Sequence, residues 1–146
     1  MHVTATYNQN SYDFFFRPIF LQFPDLEQSL LDDFKIYKAT KKLPNYFGRD
    51  TNYERPDDIK DKGLMHIHLA LHGKKLVTPE GKDIDDKTPQ WDRTSDSALI
   101  YAQNLHDENL YTIIALFDPL AHSKANNYDR MRTLASYAEA FRKTMF

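Results

Sequence analysis

Of the six histidines in this sequence, three stand where their spacing and neighbours could support chemistry. His66 and His68 are two apart in the run Leu64–Leu71 (LMHIHLAL), so on an extended strand both imidazoles leave the same face. Arg93-Thr94-Ser95-Asp96 comes immediately before a second β-rich run. His122 follows a third, just after Pro119 and beside Ser123, Lys124, Asn126 and Asn127. Imidazole titrates near neutral pH and serves as either acid or base. Guanidinium offers a planar fork to phosphate oxygens. The set suits cleavage of RNA through its own 2′-hydroxyl, which needs a proton acceptor, a cation on the phosphate and a proton donor for the departing oxygen. In that reading His122 moves the proton, Asp96 orients it, Arg93 steadies the phosphate, and His66 and His68 line the cleft. Lys124, Asn126, Asn127 and Arg130 contact the RNA, and neither metal nor cofactor is called for.

Each feature also has a plainer reading. An HxH pair on a strand is often surface polarity, and as a metal site it would need a third ligand from His72 or His122. Arg93 with Asp96 also reads as a turn whose carboxylate caps backbone amides. Lys124, Arg130 and Arg132 read as a solvated helix face, and His2 and His106 as incidental.

These side chains must be positioned by elements the patterning predicts. Residues 2–10 read as a short edge strand or loose arm, and Arg17–Phe23 alternates as a strand through Ile19, Leu21 and Phe23. A helix follows, with Asp25 as cap, Gln28 completing a capping box, and Leu26, Leu30, Phe34 and Tyr37 as its apolar stripe, ended by Pro44. Residues 45–63 read as loop or a short helix. Leu64–Leu71 is a strand, with Met65, Ile67 and Leu69 on the face opposite the histidines. Residues 72–91, with Gly73, Pro79, Gly81 and Pro89, read as a long loop or loose hairpin. Ala98–Gln103 and Leu110–Phe117 form a hairpin. A closing helix is capped by Asn126 or Asn127 and buries Met131, Leu134, Ala135, Ala138, Phe141 and Met145. The order predicts an α+β fold: a small antiparallel sheet flanked by N-terminal and C-terminal helices.

Composition sets the outer bounds. At 146 residues, 41% hydrophobic and 27% charged, the chain reads as one domain, 1–146, with a core of its own. No apolar run approaches the roughly 18–20 residues of a spanning helix, and no signal peptide is evident. The absence of cysteine excludes disulfides and thiolate metal sites and fits a cytoplasmic protein. The net charge of −2 excludes binding to nucleic acid by bulk electrostatics, but the residues from Tyr111 onward carry +2 against −4 for the rest.

Five segments occur in order that resemble one known family: LPNYFGRD (Leu43–Asp50), HIHLA (His66–Ala70), RTSDSALIYAQ (Arg93–Gln103), IIALFDPLAHSKANN (Ile113–Asn127) and AEAFR (Ala138–Arg142). Together they resemble the YafO toxins of type II toxin–antitoxin modules over roughly Phe16 to Phe146. The sequence departs from the pattern by an N-terminal extension, residues 1–15, and by the longer insert at 72–91. The resemblance implies a RelE/ParE-like fold and a ribosome-dependent mRNA endonuclease that inhibits translation. Its implied partners are mRNA, the ribosome and a cognate antitoxin lying against the C-terminal helix or a sheet edge, with no membrane. In the YafQ branch of RelE-like toxins an aspartate precedes the penultimate strand and a histidine follows the last; Asp96 and His122 hold the matching places. The remaining readings are a non-enzymatic toxin of the same fold acting on a protein, and an HxH metal-binding enzyme.

Overall fold

The computed structural model describes residues 2–146. Its centre is a five-stranded sheet in the order β1-β5-β4-β3-β2, with β1 at Thr4–Tyr7, β2 at Phe47–Asn52, β3 at Met65–Leu69, β4 at Ala98–Gln103 and β5 at Leu110–Phe117. The four strands β2 to β5 are antiparallel to their neighbours. β1 runs parallel to β5, so the sheet is mixed rather than purely antiparallel.

Helices cover both faces. On one side lie α1 (Tyr12–Phe15), α2 (Arg17–Gln22) and α3 (Pro24–Thr40). Phe16, Phe20, Leu30 and Phe34 pack there on Phe47, Ile67, Leu69, Leu99 and Ile113. On the other side α4 (Asp57–Lys60), α5 (Ala121–Ala125) and α6 (Tyr128–Lys143) bring Ile59, Met131, Leu134, Ala135 and Ala138 onto Ile100, Ala102, Ile114 and Phe117. Burying a side chain of this size contributes about 1.5–3 kcal/mol, so these two layers supply most of the stability. No helix among the described residues is long and apolar enough to cross a membrane.

Several expected elements differ. Arg17–Phe23 is helical, not a strand: Phe16 and Phe20, one helical turn apart, are the buried pair, and Leu21 of the apparent alternation is exposed. Pro18 near the start of α2 suits a helix opening, where no N–H partner is needed. Asp25 does not cap α3, which opens at Pro24; the Gln28 amide instead donates to Asp32 at 2.8 Å. The helix ends at a left-handed Lys41, short of Pro44. Asn127 does cap α6, its Oδ1 accepting the Arg130 N–H at 3.0 Å, whereas Met145 lies beyond the helix and is exposed.

The largest omission is β2. Its register puts Thr51 opposite His66, and a bulge places Gly48 and Arg49 against His68. Asp50, on the opposite face, accepts from Tyr101 Oη (2.6 Å), Tyr37 Oη (2.8 Å) and Lys38 Nζ (3.0 Å), tying β2 to α3 and β4. A second bulge, at Ile114 in β5, turns the end of that strand toward α5.

Candidate active site

α6 packs over β4 and β5, and the short α5 reaches the same face beside β3. His66 and His68 project there, their ring centroids 5.6 Å apart. Tyr53 stacks on His66 at 4.0 Å and 14°, fixing its plane. With Ser95, Ala98, Ala121, His122 and Ala125 they enclose a cavity of about 30 Å³, and the three alanines leave it room. A cavity of that size admits a water, which is the partner His66 Nδ1 lacks among the described residues.

Each imidazole has a distinct state. The Ser95 N–H donates to His68 Nδ1 at 2.9 Å, so neutral His68 carries its proton on Nε2. Burial pushes both His66 and His68 down to about 4; for His66 the next cause is the neighbouring His68, and for His68 it is His122 followed by Arg49. Both are therefore neutral at physiological pH and act as hydrogen-bond groups rather than cations. His122 is different. Left-handed Leu120 starts α5, and the Asp96 carboxylate seats its first turn, accepting the His122 N–H at 2.9 Å and facing His122 Nδ1 at 2.8 Å. The His122 backbone N–H, followed by its ring, holds the Asp96 carboxyl below the usual range. With Nδ1–H bound to that carboxylate, Nε2 is the basic nitrogen, and the ring lies 5.9 Å from His68, open to solvent.

The structure thus brings His66, His68, Asp96 and His122 together. It does not bring Arg93: the guanidinium donates to the carbonyls of Thr88 (3.0 Å) and Asp85 (3.2 Å) and closes the insert loop. The cation beside His68 is Arg49, in the β2 bulge. Arg49 forms no ion pair among the described residues; its Nε donates to the Trp91 carbonyl at 2.6 Å and its guanidinium lies 4.3 Å from the centre of the Trp91 ring. Gly48 makes this possible, because a Cβ there would meet the Arg93 carbonyl at 2.3 Å.

The expected RNA contacts lie elsewhere. Lys124 and Arg130 line a separate hollow with Phe14, Phe15 and Pro18, Arg130 donates to the Lys124 carbonyl at 3.2 Å, Asn127 is engaged as a cap, and Asn126 ends α5. Among the described residues no three metal-ligating side chains are arranged to hold an ion, and His72 pairs with Asp118 rather than joining His66, His68 and His122.

A family model described as toxin YafO, type II toxin-antitoxin system, matches residues 35–143. The chain belongs to the YafO toxin family. It is also 35% identical over 118 residues to the mRNA interferase toxin YafO of Escherichia coli (strain K12), an alignment covering 78% of this chain and 83% of that one. No solved structure matches the chain. The mixed sheet between N-terminal and C-terminal helices is the RelE/ParE-like arrangement, and membership in a type II system implies a cognate antitoxin. The match to the YafO model runs from α3 to the end of α6 and includes the whole histidine cluster with Arg49 and Trp91; β1, α1 and α2 precede it. The sequence did not single out Arg49, the cation that the fold sets opposite His68. Its signal was the segment Leu43–Asp50, one of the family blocks, in which Arg49 is the sole cation.

Proposed function

We propose that this toxin is an mRNA interferase that cuts RNA by proton transfer at His122. The observation that carries the reading is the His122–Asp96 pair at the rim of a pocket holding two neutral imidazoles. His122 Nε2 takes the 2′-hydroxyl proton, and the 2′-oxygen attacks the adjacent phosphorus. The P–O5′ bond breaks, leaving a 2′,3′-cyclic phosphate and a 5′-hydroxyl whose proton comes from solvent at this open rim; His122 then returns its proton to solvent. The His68 Nε2–H donates to a non-bridging phosphate oxygen, and Arg49 supplies the positive charge first assigned to Arg93. His66 holds His68 from behind.

mRNA read on the ribosome is the proposed substrate. A chain of net charge −2 has little general attraction for RNA, so binding rests on local cations and contacts within the ribosome. The exposed Phe14, with Phe15 and Tyr137, lines an apolar hollow along α6 that also holds Arg130 and Asp129, and this is the surface we assign to the antitoxin. The test is primer-extension mapping of mRNA in a purified translation system. The wild-type chain should produce discrete new 5′ ends, and His122→Ala should produce none. New ends at equal rates from both proteins would refute the role of His122, and no cleavage by the wild type would refute the interferase reading.

A further inference from the structure

Trp91 is the sole tryptophan of the chain, and it lies against Arg49, the residue opposite His68 in the β2–β3 register, with 55% of its surface exposed. An exposed indole offers a broad flat face on which another ring can stack. Trp91 is also not loosely placed. It lies in the short 3₁₀ turn Gln90–Asp92, which β2 holds by three hydrogen bonds: Arg49 N–H to the Arg93 carbonyl (2.8 Å), Arg49 Nε to the Trp91 carbonyl (2.6 Å), and Gln90 Nε2 to the Gly48 carbonyl (3.0 Å). The close approach that Gly48 permits fixes the turn further. One face of the indole is covered by the Arg49 guanidinium, and the exposed area leaves the other to solvent.

We propose that the open face of Trp91 is a stacking platform for a nucleobase next to the scissile phosphate, so that Trp91 is a specificity-determining residue of the RNA site. This rests on the interferase reading. Arg49 links the two parts: it stands opposite His68 in the β2–β3 register and beneath Trp91, so a phosphate held by its remaining N–H groups places the attached nucleoside beside the indole. Stacking is tolerant of base identity but stronger for the larger purine ring, so the position read by Trp91 favours purines. Arg49 beneath the ring fixes its plane before RNA arrives, which lowers the ordering cost of stacking.

With a single tryptophan, fluorescence excited beyond the absorption of the nine tyrosines reports on Trp91. The protein, without antitoxin, is titrated with a short 2′-O-methyl oligoribonucleotide, which binds but lacks the hydroxyl needed for cleavage. A second titration uses an abasic oligonucleotide of the same length and charge. The base-bearing strand should quench the fluorescence and the abasic strand should not, and Trp91→Ala should bind the base-bearing strand about ten-fold more weakly. Trp91→Phe should retain most of the affinity. In the cleavage assay Trp91→Ala should still cut, at lower efficiency and with a flattened purine preference at one position. Equal quenching by both strands, or unchanged affinity and cleavage pattern in Trp91→Ala, would overturn the platform while leaving the interferase reading intact. Quenching without any cleavage by the wild type would keep the platform and remove the interferase reading. Unchanged RNA binding with weakened antitoxin binding in Trp91→Ala would assign the indole to the protein partner and overturn the proposal.

Discussion

Two histidine–aspartate pairs stand at the same end of the sheet, where β3 and β5 finish and β4 begins. In the first, His122 and Asp96 face each other at 2.8 Å with side chains 71% and 49% exposed. In the second, His72 Nε2 and Asp118 Oδ2 are 2.7 Å apart, but the side chains are only 26% and 7% exposed. Phe23 stacks on His72 at 3.9 Å, and Asp118 also accepts the Ser97 hydroxyl at 2.5 Å. The chemistry of the two pairs is alike; access differs. The covered pair fastens the start of the insert and the end of β5 to α2 and β4, while the open pair leaves a basic nitrogen facing solvent.

The strongest way to break this contrast is to disable the open pair. Asp96→Ala should lower RNA cleavage by about 100- to 10,000-fold, since the imidazole loses the group that sets its tautomer and orientation. Its melting temperature should fall by only a few degrees, because the backbone N–H that the carboxylate caps at the start of α5 is worth about 0.5–2 kcal/mol. A large fall in melting temperature with the loss of activity would make Asp96 a structural residue like Asp118.

Acid provides a second separation. His66 and His68 are held neutral in the fold down to about 4, against an ordinary value of 6.5. Between those limits the unfolded chain binds protons that the folded chain does not. Stability is therefore full above pH 6.5 and falls as the pH drops toward 4, by up to about 3 kcal/mol for each imidazole. Denaturant melts at pH 7 and pH 4.5 measure this, and His66→Gln should remove part of the slope. An unchanged midpoint would mean that the two rings are not buried as described.

A smaller effect is expected at the covered pair. Asp118→Ala leaves the buried Ser97 hydroxyl without its acceptor and frees His72, at a cost of about 1–3 kcal/mol. Activity per folded molecule should remain within a few-fold of wild type. The smallest effect is at His2 and His106, both exposed and outside either pair, where alanine should change neither cleavage nor melting temperature.

These contrasts also explain which features could be read from the sequence. β3 and α6 showed in the patterning because their apolar residues recur with the period of the element, and the HxH spacing placed both imidazoles on one face. β4 and β5 showed because each is a continuous β-rich run, buried on both faces and joined to the other by a short polar turn. β2 did not show, because its inward residue is Asp50, whose burial is offset by Tyr37, Lys38 and Tyr101 from elsewhere in the chain. With β2 hidden, its Arg49 could not be placed beside His68, and the phosphate role fell to Arg93, the guanidinium just before Asp96 in sequence. α2 was misread because Ile19, Leu21 and Phe23 mimic a strand while Phe16 and Phe20 carry the helical contact. The short α5 that carries His122 has too few turns to show a period, so it did not show in the patterning. The pairing of Asp96 with His122 came from the resemblance, and no local pattern would have distinguished it from His72 with Asp118.

The parallel edge of the sheet bears on when activity can arise during synthesis. Asn8 and Thr112, joined across β1 and β5, are 104 residues apart in sequence. Contacts that distant form late, after the closure of a long loop, and on a growing polypeptide they must wait until β5 has been made. A chain stalled before Leu110 already holds His66, His68 and Asp96, yet it lacks both the partner strand for β1 and the His122 imidazole. On the interferase reading the site is complete only once β5 and α5 have both been made, and a copy interrupted before them lacks the imidazole that moves the proton.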